Sequence, residues 1–598
     1  MDNSDNVKRK QIGIGTEVFH KLIEEHKYYV DKTLLLRTVF QENGAEVLLI
    51  TRPRRFGKTL TLSTFRDFLS LDPTSPGDIS RQEKWFQETA VYSDRDFCQN
   101  YMGRFPVISL SLKSVSFDNF NDAYNELAAV ITSLAEEFFY LEDSPELSNS
   151  DRQTLSRLLD YEQLRDPSDK TALTRSLLSL TNLLYRHHRI SPVLLIDEYD
   201  VPIAKAACFG YYNDMIRVVE PLLANALKGN TNMKKAVITG CLPGPAESIF
   251  TELSNFQNCS LLDDGNRALS QGIGFTEEET RRLLACYDLE KHFAEVKRSY
   301  DGYNCGSTCM YCPWDVLSFC NDSYEKAQRG DEAFIKPGNY WLNTSSNDAI
   351  EEFMGYIETK DVEKMQELLD GGSITAEVRE ALCYGDLRKH STDDFWTLLL
   401  YTGYLTFDPK YHSSTSNENK LFIPNAEIRS CFEAKILDFF RSNHLMTEHT
   451  RELVKSLFAG DADRAQQNLQ SLLAKYVSIR DFASKAPKEN YYHGLLNGLL
   501  INGAAEIHEQ SSNLESGDGY IDLIASSSQN SGIIIILELK QTDSLQSDKM
   551  QIARKAIKQI MDRKYADPYI HREDITGVYA WGICFHRKSC SLAVEKLK

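Results

Sequence analysis

The chain has 598 residues, a formal net charge of −19 and 42% hydrophobic residues, a composition ordinary for a globular protein. This length exceeds what one hydrophobic core supports, so we expect about two to four domains. The acidic balance argues against a protein that coats nucleic acid with its whole surface, although a local basic groove is still compatible with it.

The sequence indicates neither a secretion signal nor a membrane span. The N-terminal stretch MDNSDNVKRKQ has no apolar core of a signal peptide, and the longest obvious apolar run, Ile533 to Leu537, is only as long as a strand. The 13 cysteines are scattered along the chain, which fits reduced thiols in a reducing compartment. We therefore expect an intracellular protein, cytoplasmic or nuclear, with no membrane partner.

The stretch from Glu46 to Leu60 has the order of a phosphate-binding loop. A predicted buried strand is followed by a loop, and Gly57, Lys58 and Thr59 then open a helix. Exposed amides at a helix start favour an anion, Lys58 would reach the terminal phosphates, and Thr59 would hold magnesium. The usual first glycine of the motif is Arg52 here, so this loop alone is equally compatible with a chance GKT at a helix start.

A second predicted strand, Val193 to Ile196, ends in two acids. Asp197 would complete a magnesium shell, and Glu198 would orient or deprotonate an attacking water. A charged turn after a core strand is the alternative, but the two motifs together favour nucleotide binding. Thr239 ends a further strand, where it would either sense the terminal phosphate or bond to the backbone. Strands that alternate with helices predict a mostly parallel sheet with ligands at its carboxyl edge.

A second chemical centre lies near the C-terminus. Beyond residue 490 the pattern predicts a helix, three strands, a helix and a strand. Glu538 and Lys540 fall on one face of a strand because strand side chains alternate, and Asp522 lies on a neighbouring strand. Two carboxylates would hold a divalent ion, and a lysine beside them would orient its water. Solvated charges on an edge strand are the alternative, but Ile533 to Leu537 is too apolar for that.

Several stretches make the chain resemble the AAA-ATPase-like proteins that carry a C-terminal PD-(D/E)xK nuclease-superfamily domain. They include RPRRFGKTL at Arg52–Leu60, IDEYDVPI at Ile196–Ile203, YDGYN at Tyr300–Asn304 and YWLNTSSN at Tyr340–Asn347, and the resemblance covers nearly the whole chain. It implies ATP with Mg²⁺ at the first site, and Mg²⁺ or alternatively Mn²⁺ at the second. It also implies DNA as a partner, and because AAA-type enzymes often form rings, it is compatible with a homo-oligomer.

The predicted site residues form three sets. The catalytic set is Glu198, Asp522, Glu538 and Lys540. Nucleotide contacts are assigned to Arg54, Arg55, Phe56, Gly57, Lys58, Thr59, Leu60, Asp197 and Thr239. Metal ligands are assigned to Thr59, Asp197, Asp522, Glu538 and, through a motif position of the superfamily, His493. Gln559 matches a further motif position and would touch substrate; for His493 and Gln559 a capping or core role is the alternative.

The fold predicted from these elements is a multidomain α/β protein. A P-loop NTPase parallel sheet occupies 1–265, a helical lid 266–345, a helical or winged-helix-like middle 346–445, a helical connector 446–489 and a restriction-endonuclease-like α/β domain 490–598. In the middle part, Asn347 to Leu400 is predicted helical, and two strands near Tyr404–Phe407 and Leu421–Ile423 would form the wing.

Two functions fit these patterns. One is an ATP-binding and ATP-hydrolysing protein coupled to a metal-dependent DNA nuclease. The alternative is a nucleotide-switched module that binds DNA or protein through an inactive nuclease fold. DNA and RNA, and endo- and exonuclease action, are all compatible with the second centre.

A group of cysteines needs separate treatment. Cys305, Cys309 and Cys312 have the spacing of a three-thiolate iron–sulfur site. Their mid-chain context favours unrelated thiols, and zinc with Cys320 as a fourth ligand is the remaining alternative.

Overall fold

A computed structural model describes residues 10–244, 256–263, 265–341, 364, 365, 367–369, 371–387, 392–411, 418–432, 448–476, 492, 493, 495–497, 499, 500, 507–516, 519–527, 532–542, 548–586 and 589–598. The chain divides into two compact units. The first lies within Met1–Tyr356 and Ser373–Ser430, and the second within Ile357–Gly372 and Cys431–Lys598. Among the described residues, no helix is both long and apolar enough to cross a membrane.

The first unit contains a five-stranded parallel sheet. Its strands are β1 (Val47–Thr51), β2 (Val107–Ser111), β3 (Val193–Asp197), β4 (Lys235–Gly240) and β5 (Phe256–Cys259). Their spatial order is β2-β3-β4-β1-β5. Every residue of β1, β3 and β4 is buried, because helices cover both faces of such a sheet. The predicted parallel sheet is confirmed.

Amphipathic helices connect these strands. The longest, Phe120–Glu136, starts at Asn119, whose side chain accepts a hydrogen bond from the Asp122 amide, and it buries Leu127 and Ile131 on one face. The helices of this part are Phe19–Glu24, Leu34–Arg37, Lys58–Leu69, Ser80–Phe86, Arg95–Tyr101, Phe120–Glu136, Asn149–Leu159, Tyr161–Leu164, Thr171–Thr174, Ser176–His188, Val201–Cys208 and Tyr212–Leu227.

The chain after the sheet is mainly helical and adds a small hairpin. Thr276 and Glu279 form a capping box that starts the helix Glu277–Cys286. The other helices are Arg267–Gly272, Phe293–Tyr300 and Pro313–Gln328, and β6 (Tyr303–Cys305) pairs antiparallel with β7 (Thr308–Met310).

A three-stranded antiparallel sheet follows, in the order β8-β10-β9. Its strands are β8 (Ile374–Glu377), β9 (Thr406–Phe407) and β10 (Glu418–Phe422), and the helices Tyr384–Leu387 and Thr392–Thr402 lie between β8 and β9. Pairing of β9 with β10 gives the two strands expected of a wing. The helix predicted across Asn347–Leu400 is wrong at β8, where buried and exposed residues alternate with the period of a strand. Residues 347–363 lie outside the described part.

The second unit is organised around a mixed sheet in the sequential order β11-β12-β13-β14-β15. Its strands are β11 (Ile507–Ser516), β12 (Gly519–Ser527), β13 (Ile533–Gln541), β14 (Gly577–His586) and β15 (Ser589–Lys596). Only the β13–β14 pair is parallel among these strand pairs, because the helix Lys549–Asp562 crosses over between them. The predicted α/β character of the C-terminal domain is confirmed. The short helix Asp567–Ile570 precedes β14.

The two faces of β13 have different cover. Ile535, Leu537 and Leu539 share a core with residues of the helices Glu448–Ala459 and Ala462–Tyr476. Ile534 and Ile536 pack instead with apolar residues of the helix Lys549–Asp562. Glu538 and Lys540 continue this second series, so the strand period places both on the face covered by the helix Lys549–Asp562.

Candidate functional sites

The loop between β1 and the helix Lys58–Leu69 is shaped by two residues in the left-handed region. Gly57 has φ 90° and caps the helix, and Arg55 has φ 68°. Gly57 meets this requirement without strain, whereas a side chain at this φ would be unfavourable even though a Cβ would meet no atom within 4 Å. The turn therefore depends on the backbone conformation of Gly57 and not on the space around it.

Lys58 is held inside the loop. Its side chain is buried, and Nζ donates to the carbonyl oxygens of Arg52 at 2.9 Å and Pro53 at 3.0 Å. These carbonyls belong to the loop that would surround a phosphate. An anion that replaced them as the partner of the ammonium group would gain a charge-assisted hydrogen bond.

Arg52 has a structural role in place of the usual glycine. It is fully buried, and its guanidinium donates to the carbonyls of Thr51 at 2.7 Å, Cys259 at 3.1 Å and Leu269 at 3.3 Å. The side chain thus ties the end of β1 to the end of β5 and to the helix Arg267–Gly272. Only the strand order shows this role, because all but one of its partners lie more than 200 positions away.

Asp197 lies between two threonine hydroxyls. Thr59 Oγ1 donates to Asp197 Oδ2 at 2.7 Å, and Thr239 Oγ1 donates to Oδ1 at 2.5 Å. Parallel pairing of β3 with β4 brings Thr239 beside Asp197, so its partner is a carboxylate and not the backbone. Hydroxyl and carboxylate oxygens are the donors that Mg²⁺ prefers, and the Thr59–Asp197 pair therefore fits a magnesium ion.

Glu198 follows Asp197 with φ 50°, a left-handed conformation that is unfavourable for a residue with a side chain. This turn places Glu198 on the wall of a cavity together with Lys58 and Thr59. Burial raises the pKa of Glu198, an effect that the nearby charge of Lys58 opposes. The next acid, Asp200, accepts hydrogen bonds from the amides of Cys241 at 2.9 Å and Leu242 at 3.1 Å, which ties this turn to the end of β4.

The cavity has a volume of about 570 Å³, which is enough for a nucleotide. The predicted nucleotide-binding residues Arg54, Arg55, Phe56, Gly57, Lys58, Thr59 and Leu60 all line it. Asp197 and Thr239 are not among the lining residues: Asp197 is linked to the cavity by the hydrogen bond from Thr59, and Thr239 donates to Asp197. Arg55 stacks on the Trp314 ring, with 4.2 Å between the guanidinium carbon and the ring centroid.

Sequence reasoning missed other residues of this wall, among them Glu17, Lys113 and Trp314. Lys113 follows β2 by two residues, and polar residues just beyond parallel strands are a signal that could have found it. Glu17 and Trp314 come from segments without such a signal.

The second candidate site is built on β12 and β13. Leu523 pairs with Leu537, and Asp522 and Glu538 are the next residues on the two strands. Asp522 Oδ2 accepts a hydrogen bond from the Leu539 amide at 2.7 Å, and Lys540 Nζ donates to Glu538 Oε1 at 3.0 Å. The two carboxylates and the lysine predicted from the sequence are therefore brought together at one end of the sheet.

The helix Lys549–Asp562 completes this cluster. Gln559 donates from Nε2 to Glu538 Oε1, which the lysine also contacts. The helix can approach this closely because Gly582 of β14, the register partner of Glu538, has no side chain. A Cβ at Gly582 would lie 1.8 Å from the Ala553 carbonyl oxygen.

His493 contacts the backbone of the site. Its Nε2 lies 2.8 Å from the carbonyl oxygen of Asp522, and the neighbouring Tyr492 stacks on Phe585 with 4.2 Å between ring centroids. A hydrogen on Nε2 for this contact leaves Nδ1 as the ring nitrogen that could bind a metal. The contact holds the ring against the strand that carries Asp522, and the metal-ligand role of His493 stays a prediction.

The donor set of the second site suits a hard cation. Asp522 and Glu538 supply carboxylate oxygens, the ligands preferred by Mg²⁺ and Mn²⁺. Among the described residues, no three His, Cys, Asp or Glu side chains form a group that could hold a metal. An ion here would therefore need substrate phosphate or water oxygens to complete its shell, as Mg²⁺ commonly does.

Basic side chains are exposed on the helix that carries Gln559. Lys555 lies one turn before Gln559 on this helix. Arg554 directly precedes Lys555, and Lys558 directly precedes Gln559. Arg563 and Lys564, the two residues that follow the helix, are also exposed. This positively charged helix face contrasts with the negative net charge of the chain.

The cysteines considered as a cluster site have separate partners. Cys309 donates to Asp301 Oδ1 at 3.1 Å, and Cys312 contacts the Arg55 carbonyl at 3.8 Å. Cys305 is buried at the hairpin and lies close to Arg52, whose charge opposes the rise that burial causes in the thiol pKa.

Comparisons with known proteins match the two regions of the chain that carry these candidate sites. Residues 13–250 match the family described as predicted AAA-ATPase, and residues 487–595 match the PD-(D/E)XK nuclease superfamily. A protein from Azotobacter chroococcum mcd 1, described as an uncharacterized protein in the vnfD 5′ region, is 23% identical over 597 residues, which cover 98% of each chain. The resemblance recognised from the loop, strand and C-terminal motifs is confirmed.

Proposed function

Because this chain combines a predicted AAA-ATPase region with a region of the PD-(D/E)XK nuclease superfamily, we propose that it binds and hydrolyses ATP and cleaves DNA with a divalent metal ion. ATP turnover gates cleavage in this proposal. Each activity is supported by its own group of side chains.

The ATPase proposal rests on the cavity beside β1 and β3. Lys58 and the amides at the start of the helix Lys58–Leu69 bind the phosphates, and Thr59 with Asp197 holds magnesium, which neutralises phosphate charge when bound. Glu198 lines the same cavity and orients the attacking water as a general base.

The nuclease proposal is carried by one observation, the convergence of Asp522, Glu538 and Lys540. The Leu539 amide fixes the Asp522 carboxylate, and Gln559 and Lys540 fix that of Glu538. A divalent ion at these carboxylates would polarise the scissile phosphate and lower the pKa of a bound water. Lys540, the one cation of this trio, stabilises the negative charge that develops on the phosphate.

DNA is the proposed substrate because the cluster lies beside a positive helix face. Lys555 and Lys558 are exposed near Gln559, where their charges pair with backbone phosphates and do not contact the bases. Contacts of this kind carry no sequence information, so we expect cleavage with little sequence preference and a strong dependence on salt.

The test is incubation of the full chain with plasmid and linear DNA, with and without ATP and magnesium. Lys540→Ala is expected to abolish cleavage and to leave ATP hydrolysis unchanged. Lys596→Ala, which removes an exposed strand lysine from β15, is the matched control and should cleave as the wild type does. Cleavage that persists in Lys540→Ala would reject the site assignment.

A second function is favoured by the fact that both carboxylates already have protein hydrogen-bond partners. In that case the nuclease fold only holds DNA or a protein partner, and ATP switches the binding. Calorimetric titration with Mn²⁺ separates the two functions. Binding that is lost in Asp522→Asn supports the nuclease, whereas no binding to the wild type supports the module.

A further inference from the structure

Lys113 lies where β2 leaves the sheet beside the acids of β3. Ser111, the last residue of β2, pairs with Asp197, and the Leu112 amide donates to the Asp197 carbonyl at 3.0 Å. The next residue is Lys113, which lines the same cavity as Lys58 and Glu198. A cation is therefore placed on the side of the cavity opposite β1 and its loop, with β3 and β4 between β2 and β1.

The partner of Lys113 comes from the N-terminal segment. Nζ donates to Glu17 Oε1 at 2.6 Å, and both side chains are about half exposed, at 53% and 50%. Glu17 precedes the helix Phe19–Glu24 and also lines the cavity, where its charge acts on Arg55. Glu17 is thus a second carboxylate, besides Glu198, on the wall of a cavity whose cations suit phosphate.

The charge state of Lys113 suits an anion ligand. Partial burial acts to lower the pKa of Lys113. The hydrogen bond to Glu17 and the charges of Glu17, Glu198 and Asp197 outweigh this effect, so the net change in the pKa of Lys113 is a rise. Lys113 is therefore protonated at neutral pH. Partly exposed ion pairs contribute little to stability, so a stronger anion can replace Glu17 at low cost.

We propose that Lys113 binds the terminal phosphate of the nucleoside triphosphate and that Glu17 occupies its place until the nucleotide arrives. The inference rests on the proposed ATPase function and names a phosphate contact within that site. Lys58 starts the helix that follows the β1 loop, and the acids that would bind magnesium and water lie at the end of β3 and directly after it, so the terminal phosphate has to lie between them. Lys113 approaches that place from β2.

Two consequences follow from this arrangement. Lys113 distinguishes a triphosphate from a diphosphate, because only the terminal phosphate reaches it. When ATP is bound, release of Glu17 also frees the segment before the helix Phe19–Glu24 from the end of β2. When only the product diphosphate is bound, Glu17 pairs with Lys113 again.

The test compares the dissociation constants of full-length variants for a non-hydrolysable ATP analogue and for ADP, both with magnesium. Lys113→Met is expected to weaken analogue binding by about tenfold or more and to change ADP binding by less than about twofold, because a charge-assisted hydrogen bond is lost only with the triphosphate. Lys113→Arg should keep most of the discrimination. Glu17→Gln should strengthen analogue binding up to about fivefold and leave ADP binding unchanged.

Arg66→Met is the matched control, because it breaks another partly exposed ion pair, Arg66–Glu137 at 2.7 Å, on a helix of the same unit. It should change neither constant. Equal weakening of both ligands in Lys113→Met, or no change in either, would overturn the role of Lys113 while leaving the ATPase proposal in place. A wild-type protein that binds neither ligand would overturn both.

Discussion

Thr59 donates its hydroxyl to Asp197 at 2.7 Å, across 138 positions of sequence. The contact joins the start of the helix after β1 to the end of β3, two strands away in the sheet. Since Thr239 contacts the other oxygen of the same carboxylate, Asp197 is held in one orientation. The predicted magnesium ligands are therefore already oriented towards each other.

Removal of the Thr59 hydroxyl should affect only the metal-dependent part of nucleotide binding. We expect Thr59→Ala to weaken ATP binding in magnesium by about 10–100-fold, the effect of one lost hydrogen bond or ligand to a charged group. Binding in excess EDTA should not change. Thr154→Ala, which removes an exposed helical threonine hydroxyl, is the control. A similar loss in EDTA would show that Thr59 acts on the phosphates directly.

Glu198→Gln should separate ATP binding from hydrolysis. The amide keeps the shape of the side chain but cannot accept a proton, so kcat should fall by about 10²–10⁴-fold while the ATP dissociation constant stays within about threefold. Burial raises the pKa of Glu198 above 4.5, so the wild-type rate should fall on the acidic side at a pH above that value. The residual rate of Glu198→Gln should not show this fall at acidic pH. A wild-type rate in Glu198→Gln would exclude the general-base role.

Restoring the usual glycine at position 52 should destabilise the protein. Arg52→Gly leaves the carbonyls of Thr51, Cys259 and Leu269 without this donor in the interior, and we expect a loss of at least about 3 kcal/mol in the free energy of unfolding. The urea-induced unfolding transition of the first unit would measure this loss in the free energy of unfolding. Arg66→Ala, at an exposed arginine, should change the same quantity by less than about 0.5 kcal/mol. An unchanged midpoint in Arg52→Gly would mean that water satisfies those carbonyls.

A buried acid pair should make the first unit less stable as pH rises. Asp315 is fully buried and Glu427 is 2% exposed, and burial followed by their mutual repulsion raises the pKa of Glu427, while burial also raises that of Asp315. In the unfolded chain both acids lose their protons near pH 4, so the folded state binds more protons above that pH and its stability declines as pH increases.

Glu427→Gln removes one acid of this pair and keeps the oxygen that accepts the Trp341 amide at 2.7 Å. We expect a smaller fall in the free energy of unfolding between about pH 5.5 and pH 8.5 than in the wild type, because one fewer proton is held on folding. The Glu137→Gln control, at an exposed acid, should follow the wild-type curve. Parallel curves for Glu427→Gln and wild type would show that the pair titrates normally.

Local patterns determined much of this protein. The apolar runs of β1 and β3 predict buried parallel strands, Gly57-Lys58-Thr59 predicts the loop and helix start, and the period of two in β13 places Glu538 and Lys540 on one face. Each of these features follows from residues close together in sequence. Periodicity and backbone preference act over the same short range, so one sequence was enough to predict them.

Only the tertiary structure decided which side chains meet. The strand order places Thr239 and Lys113 beside Asp197. Pairing of β12 with β13 brings Asp522 next to Glu538. Arg52 donates to carbonyl groups of β5 and of the chain after it. The same holds for β8, whose pairing with β10 overrides a helical pattern. These contacts are set by the free energy of burying and pairing distant segments, which no short stretch of sequence contains.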